Sequence, residues 1–276
     1  MEPINLLSPK FSGDAAENSV HNGSAPVRKS TNLTFSNLIL TEGDDAPKYG
    51  NKLLLTGELF YNREIIIDKN GMINGLRKKK DGQTFFGLKN MKDYTGSYYN
   101  DLVVNYHTNM RNATSTGRVF DISYQKKTND YRLYMIHNTM IMNYMITNNF
   151  YFDYDKDYYM VLGKVLVAIT AMESDNRQLI DVIIEEDETQ LKYSFTDSDM
   201  PISIGRASCN IIINNASISK KHGVLAYSKE MNMFYYIDKG STNGSVVVLK
   251  EDDEIRLKGD MRFKLEEVAF RIMELP

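Results

Sequence analysis

Short runs of apolar residues, separated by turn-forming residues, occupy most of the chain from Lys52 onward. In the first part of this region Gly, Asn and Asp stand between runs rich in Val, Ile, Tyr and Phe. These runs cover residues 53–55, 64–67, 84–86, 102–104, 119–124 and 131–136. Nowhere do apolar residues keep a 3.6-residue repeat over several turns. The pattern predicts short antiparallel strands of a sandwich or barrel and no long helix.

A denser series of short apolar runs follows residue 178. It covers residues 179–184, 191–195, 202–204, 211–213, 223–227, 234–237, 246–249, 254–257, 262–265 and 269–273. So many strands in about one hundred residues are typical of a β-sandwich. In such a fold, function is expected on the loops at one end.

The pattern divides the chain into three parts. Residues 1–48 are rich in Ser, Asn, Gly, Pro and Asp, and they lack a periodic apolar pattern outside residues 33–40, so we predict a disordered arm. A charged patch at residues 173–177 separates the two series of strands. The 276 residues are enough for two cores. We therefore predict an all-β chain with two β-sandwich domains, at residues 49–174 and 175–276.

The charge balance argues against a generic binder of nucleic acid. The chain carries 33 Lys plus Arg and 36 Asp plus Glu, a net charge of -3. From Asp175 onward there are 13 basic and 18 acidic residues, so the second half is the more acidic one. Without long-range attraction for a polyanion, any anion site has to be local, and we expect no direct contact with nucleic acid.

Cofactor, metal and membrane roles find no support in the sequence. The single cysteine, Cys209, makes neither an internal disulfide nor a Cys-rich zinc site. Residues 153–157 imitate the start of a calcium loop, but Tyr158 and Lys164 stand where glycine and glutamate are required. The first ten residues lack the features of a secretory signal, and the longest apolar stretch, residues 158–172, is too short to span a bilayer. We expect an intracellular protein of the nucleus or cytoplasm, with no cofactor, no metal and no membrane anchor.

Three loops in the second half combine basic, hydroxyl and amide side chains. They are Gly205-Arg206, then SISKKH at residues 217–222, then DKGSTNGS at residues 238–245. Each loop follows a predicted strand. Taken alone, each is weak evidence, because Ser-Thr-Asn-Gly, for example, is also a good tight-turn sequence.

Together, in this order and spacing, the three loops resemble the forkhead-associated (FHA) domain. The family pattern is Gly-Arg, then Ser-(Arg or Lys)-x-His, then (Ser or Thr)-x-Asn-Gly. The matching residues are Gly205, Arg206, Ser219, Lys220, His222, Thr242, Asn243 and Gly244. The resemblance runs from about residue 179 to residue 272. It implies a β-sandwich that binds phosphothreonine peptides of a protein partner.

The residue types suit that ligand. A phosphothreonine carries nearly two negative charges and three acceptor oxygens, so its site needs a fixed guanidinium, a hydroxyl and amide donors. Arg206 and Ser219 supply the first two. The resemblance implies that Lys220 and the amides near Thr242 complete the phosphate shell, and that Asn243 binds the peptide backbone. It also implies structural roles for Gly205, His222 and Gly244.

The first half resembles a diverged relative of the same domain. Residues 65–70, 84–87, 100–104, 119–124, 131–135 and 159–169 follow the order of FHA strands. Leu88 stands where the arginine is expected. We therefore expect this half to pack against the neighbouring domain or another protein rather than to bind phosphothreonine. In the second half, the connection at residues 245–253 lacks a second glycine turn that many FHA domains have there.

Two other kinds of function compete with phosphopeptide binding. Ser219, His222 and Asp238 could be arranged as a hydrolase triad, but no Gly-x-Ser-x-Gly elbow exists, so we predict no enzyme activity. We predict a non-catalytic adaptor. The alternative is a structural or assembly protein that uses both sandwiches as packing surfaces, with the phosphate site idle or serving one permanent partner.

Overall fold

The computed structural model describes residues 52–106, 115–137, 139–174, 177–186 and 189–275. The arm predicted at residues 1–48 lies outside the described residues. Within the described ranges the chain is almost entirely β-structure, which confirms the predicted fold class. Two short 3₁₀ helices, Glu58–Phe60 and Asp197–Asp199, interrupt the strands. None of the helices in these ranges is long and apolar enough to cross a membrane.

Every apolar run that we assigned to a strand overlaps an observed strand. The strands of the first half are β1 (Lys52–Gly57), β2 (Ile65–Asp68), β3 (Gly71–Met72), β4 (Gln83–Gly87), β5 (Leu102–Val103), β6 (Arg118–Gln125), β7 (Asp130–Met135), β8 (Met142–Met145), β9 (Phe150–Tyr151), β10 (Asp157–Leu162) and β11 (Val165–Ser174). Those of the second half are β12 (Arg177–Glu186), β13 (Thr189–Thr196), β14 (Ile202–Gly205), β15 (Ile211–Ile212), β16 (Gly223–Ser228), β17 (Met233–Asp238), β18 (Ser245–Leu249), β19 (Glu254–Leu257), β20 (Asp260–Leu265) and β21 (Val268–Leu275).

One large sheet runs through both halves of the chain. Its eleven strands lie in the order β13-β12-β11-β10-β18-β8-β20-β21-β1-β2-β3. Two five-stranded sheets, β15-β14-β16-β17-β9 and β5-β4-β6-β7-β19, complete the fold. The strand order is symmetric about the β18–β8 pair. Strands β10, β11 and β12 follow β18 on one side, and β20, β21 and β1 follow β8 in the same way on the other.

We call the sandwich built on β1 to β8 the first sandwich. Its small sheet is β5-β4-β6-β7-β19, and its part of the large sheet runs from β8 to β3. Aromatic rings join the two layers. Phe86 stacks on Phe120 with a centroid distance of 4.5 Å, and Phe120 stacks on Phe270 of the large sheet at 5.9 Å. Ring burial of this kind is a main source of core stability.

We call the sandwich built on β12 to β18 the second sandwich. Its small sheet is β15-β14-β16-β17-β9, and its part of the large sheet runs from β13 to β18. Phe150 of the small sheet and Tyr158 of the large sheet meet edge to face, with centroids 5.4 Å apart. In both sandwiches, one pair of strands in the small sheet is parallel, namely β4 with β5 and β14 with β15.

The two sandwiches exchange their last three strands. Residues 150–174 (β9–β11), the first exchanged segment, pair with β17, β18 and β12 of the second sandwich. Residues 254–275 (β19–β21), the second exchanged segment, pair with β7, β8 and β1 of the first sandwich. The prediction that residues 159–169 belong to the first sandwich is therefore wrong. Strand pairing crosses the predicted domain boundary at 174/175 in both directions, and that boundary stays a prediction.

Short connections account for the exchange. Only residues 146–149 separate β8 from β9, and only residues 250–253 separate β18 from β19. Strands β8 and β18 pair with each other, with Met145 opposite Val246. The chain leaving either strand thus stands at the junction and enters the neighbouring sandwich directly. Residues 245–253, where we noted that a second glycine turn is missing, thus consist of β18 and this short connection.

Tyr144 on β8 joins the two cores. Its ring lies 5.4 Å from that of Phe263 in the first sandwich and 5.9 Å from that of Phe150 in the second. Its side chain is buried, and the apolar residues of both sandwiches form one continuous cluster around it. The two sandwiches therefore share one hydrophobic core.

Candidate functional site

The three loops singled out in the sequence meet at one end of the second sandwich. Arg206 follows β14, Ser219 and Lys220 precede β16, and Thr242 and Asn243 precede β18. The amide of Arg206 donates to the Ser219 carbonyl at 2.9 Å, which joins the first two loops. The three loops together surround an open pocket of about 320 Å³. Its lining residues are Arg206, Ala216, Ser217, Ile218, Ser219, Lys220, Thr242 and Asn243.

The pocket is cationic. Arg206 and Lys220 are exposed, and neither forms an ion pair within the part of the chain that the structure describes. No carboxylate is among the lining residues. Two cations without a carboxylate partner favour an anionic ligand, and a guanidinium can bind two phosphate oxygens at once.

The Ser219 hydroxyl lies between the second and third loops. It accepts a hydrogen bond from the amide of Thr242 at 3.0 Å, and it donates to the Thr242 hydroxyl at 3.5 Å. The second distance is longer than an ordinary O–H···O bond. A phosphate oxygen could therefore replace the Thr242 hydroxyl as acceptor at little cost.

Asn243 ties the third loop to the second. Its Nδ2 donates to the Ser217 carbonyl at 2.8 Å, and within the described residues its Oδ1 accepts no hydrogen bond. The Ser217 amide and hydroxyl in turn donate to Oδ1 of Asn215, at 2.9 and 2.8 Å. Buried Ile218 anchors this loop in the core. The pocket wall is thus held in place by side chains on the sandwich.

His222 is buried, and its ring forms hydrogen bonds with the second and third loops. Its Nδ1 accepts the Ser219 amide at 3.2 Å, so its Nε2 carries the proton and donates to the Gly244 carbonyl at 3.2 Å. Burial lowers the pKa of His222, against the opposing influence of the Gly244 carbonyl and Asp238. The ring is therefore neutral near pH 7, and both of its nitrogens are occupied.

This geometry does not support a hydrolase triad. The Ser219 hydroxyl bonds Thr242 rather than His222, and Asp238 lies 3.9 Å from the donating Nε2. Asp238 instead accepts hydrogen bonds from Ser241 and Ser245 within the third loop. Burial opposes ionisation of Asp238, but the bonds from Ser245 and Ser241 outweigh it and lower its pKa. Asp238 therefore stabilises the third loop through hydrogen bonds.

The two motif glycines lie in positions that restrict a side chain. At Gly205 an added Cβ would come within 2.3 Å of the Lys220 carbonyl, so the first and second loops can approach only if this residue lacks one. Gly244 has a φ of 74°, in the left-handed region, and its carbonyl is the acceptor for His222.

A fourth loop contacts the site, and the sequence did not reveal it. The turn between β10 and β11 belongs to the first exchanged segment. Its Gly163 amide donates to the Gly244 carbonyl at 3.2 Å, and its Lys164 amide donates to the Ser217 hydroxyl at 3.0 Å. The only local signal was that Lys164 interrupts an apolar stretch.

The corresponding end of the first sandwich carries a different set of residues. The Leu88 amide donates a hydrogen bond to the Gly117 carbonyl at 2.8 Å, as the Arg206 amide does to the Ser219 carbonyl. The Val119 carbonyl accepts a hydrogen bond from the His137 amide, as the His222 carbonyl accepts one from the Lys239 amide. Leucine, glycine and valine thus stand in the places of Arg206, Ser219 and His222. Leucine and glycine at the first two of these positions offer neither a guanidinium nor a hydroxyl.

The second sandwich and its pocket define a class of protein, the β-sandwich that recognises an anionic ligand through loops at one end. Comparison with known families agrees: residues 202–265 match the family model of the FHA domain. The chain therefore contains an FHA domain, which is a phosphothreonine-peptide-binding module for protein interaction rather than a catalyst. The match covers roughly a quarter of the chain and extends into β19 and β20, which lie in the first sandwich. A search of curated proteins found no match.

Proposed function

We propose that this protein is a non-catalytic adaptor, which binds phosphothreonine-containing segments of a protein partner in the pocket of the second sandwich. The observation that carries the proposal is the meeting of Arg206, Lys220 and the Ser219 hydroxyl in a pocket without a carboxylate. An adaptor of this kind recognises its partner through the added charge of the phosphate.

Five of the eight lining residues receive a role in ligand binding from their chemistry. The Arg206 guanidinium binds two phosphate oxygens, and Lys220 adds a second positive charge. The Ser219 hydroxyl, released from its long bond to Thr242, donates to a third oxygen, and the Thr242 amide is the adjacent main-chain donor. The Oδ1 of Asn243 accepts an amide of the peptide next to the phosphothreonine. Gly205, His222 and Gly244 hold the loops.

Titration of a phosphothreonine peptide library against the full chain tests this proposal. We expect the phosphorylated peptides to bind and the unphosphorylated set to bind far more weakly. Arg206→Ala should weaken binding at least about tenfold, because it removes charge-assisted hydrogen bonds of about 1.5–3 kcal/mol. Arg206→Lys keeps the positive charge but loses the planar guanidinium. Its affinity for the phosphorylated peptides should lie between those of the parent protein and Arg206→Ala.

Arg63→Ala is the matched control, because Arg63 is an exposed arginine of the first sandwich and does not line the pocket. It should leave the affinity unchanged. Equal binding of phosphorylated and unphosphorylated peptides would contradict the adaptor proposal. That result would favour the alternative of an assembly protein that uses both sandwiches as packing surfaces, with an idle phosphate site.

A further inference from the structure

We infer that Lys164, in the turn of the first exchanged segment, is a specificity-determining residue of the phosphopeptide site. It would select a peptide with an anionic side chain close to the phosphothreonine. The inference rests on the proposed function and extends it to the residues that flank the phosphothreonine.

The turn does not itself line the pocket, but it is hydrogen-bonded to the second and third loops, which do. The Lys164 amide donates to the Ser217 hydroxyl, and the preceding Gly163 amide donates to the Gly244 carbonyl. Gly163 has a φ of 61°, and an added Cβ would lie 2.5 Å from the Ser217 carbonyl, so the turn touches the loop without a gap. Ser217 itself lines the pocket. The backbone of Lys164 is therefore held against a residue of the pocket wall.

The hydrogen bonds also indicate which part of the ligand Lys164 meets. Arg206, Ser219 and Lys220 form the phosphate end of the pocket. Asn243, the expected partner of the peptide backbone, bonds the Ser217 carbonyl, and Lys164 bonds the hydroxyl of the same serine. Lys164 and Asn243 thus bond the same pocket residue, which places Lys164 close to the expected backbone contact. Its flexible side chain would reach a neighbouring residue of the peptide.

The side chain of Lys164 is available for that contact. It is exposed and makes no ion pair within the described ranges. An ammonium group in this position would attract a carboxylate or a second phosphate, and would repel a basic residue.

The first sandwich supplies an internal comparison. Its equivalent turn, between β20 and β21, holds Glu266 and Glu267, and the Glu266 amide donates to the Ile141 carbonyl as Gly163 does to Gly244. Glu267 is 91% exposed. The turn is therefore acidic where the phosphate ligands are missing and basic where they are present, which supports a role for its charge in binding.

Fluorescence anisotropy with the full chain and a set of phosphothreonine peptides tests the inference. The parent peptide has alanine at all flanking positions, and its derivatives carry glutamate, phosphoserine or lysine at one flanking position at a time. We expect an anionic residue on one side to strengthen binding to the unmodified protein about threefold to fivefold, the size of an exposed ion pair. Comparing glutamate with phosphoserine shows which anion is selected.

Substitutions of Lys164 then assign the preference to this residue. Lys164→Ala should abolish the preference while keeping the affinity for the alanine-flanked peptide, which also shows that the fold is intact. Lys164→Glu should reverse the preference. Lys126→Glu, the same charge change at an exposed lysine in the turn between β6 and β7, should leave it as it was.

The outcomes separate this inference from the proposed function. A preference that survives Lys164→Ala, or no preference in the unmodified protein, overturns the inference while phosphothreonine binding stands. Failure of every phosphorylated peptide to bind overturns the proposed function, and the role of Lys164 with it.

Discussion

Arg206 and His222 lie in neighbouring loops but in opposite environments. His222 is fully buried, and both of its ring nitrogens bond backbone groups. Arg206 is exposed and has no carboxylate partner in the described part of the chain. A side chain that the fold requires is expected to be buried and hydrogen-bonded, whereas one that a ligand requires is expected to be accessible. This contrast supports the division of the motif into structural and binding residues.

Asp121 on β6 provides a prediction at the scale of one residue. Its side chain is 7% exposed, and burial raises its pKa to about 6 against the attraction of Arg118. The folded chain thus binds more protons than the unfolded chain between about pH 4 and pH 6. Stability from this group therefore rises as the pH falls through 6, and above pH 6 the buried carboxylate is a cost.

Asp121→Asn removes that cost. We expect its free energy of unfolding at pH 8 to exceed that of the parent protein by about 1–3 kcal/mol. The difference should shrink as the pH falls through 6 and disappear near pH 4. Urea unfolding across this pH range measures it, with Glu267→Gln, an exposed carboxyl, as the control. A variant less stable than the parent at pH 8 would contradict the interpretation.

Most residues of the candidate site could be predicted from the sequence because the motif has a fixed order and spacing. Gly163 and Lys164 could not be predicted. Lys164 contacts Ser217 across 53 residues, and a single lysine within an apolar stretch carries no pattern that points to a distant loop. A sequence motif identifies only those site residues whose loops belong to it.

At the scale of the strands, local sequence predicted positions but not partners. In β11, buried and partly exposed residues alternate from Val165 to Thr170, which is the period-2 pattern of a strand. This alternation is the same whether β11 pairs with β1 or with β12. Partner choice depends on the lengths of connections and on the packing of whole sheets, so the exchange of strands did not follow from the pattern.

We expect the two sandwiches to unfold together, because they share a core at the junction of β8 and β18. Tyr144 is 4% exposed and touches rings of both cores. We expect Tyr144→Ala to lower the free energy of unfolding by about 3–5 kcal/mol, the usual cost of removing a buried aromatic ring. Thermal denaturation should still show a single transition, shifted to lower temperature.

Tyr94→Ala is the control for this experiment, because Tyr94 is fully exposed. It should leave the transition where it is. Two separate transitions, only one of which responds to Tyr144→Ala, would show that the shared core does not couple the sandwiches.

At the scale of the whole molecule, each half contributes three strands to the other's sandwich. Residues 175–276 contain β12 to β18 together with the second exchanged segment, which in the full chain lies in the first sandwich. Produced alone, this fragment lacks β9, β10 and β11. We expect two copies to complete each other by exchanging β19–β21, because swapping of identical elements is a low-cost route to a dimer.

Light scattering after size-exclusion chromatography measures the mass of this fragment, and the full chain under the same conditions is the reference. A monomer that still binds phosphothreonine peptides would contradict the expectation. It would instead support the domain boundary at 174/175, which remains a prediction from the sequence.

The exchange of strands also bears on what holds the two halves together. A cut in the backbone between β11 and β12 would leave one fragment with β1–β11 and another with β12–β21. Each fragment would still contribute three strands to the other's sandwich, including the Gly163–Lys164 turn at the peptide pocket. Covalent continuity at this point is therefore dispensable in principle, and two separately synthesised polypeptides carrying these halves could assemble into one phosphopeptide receptor.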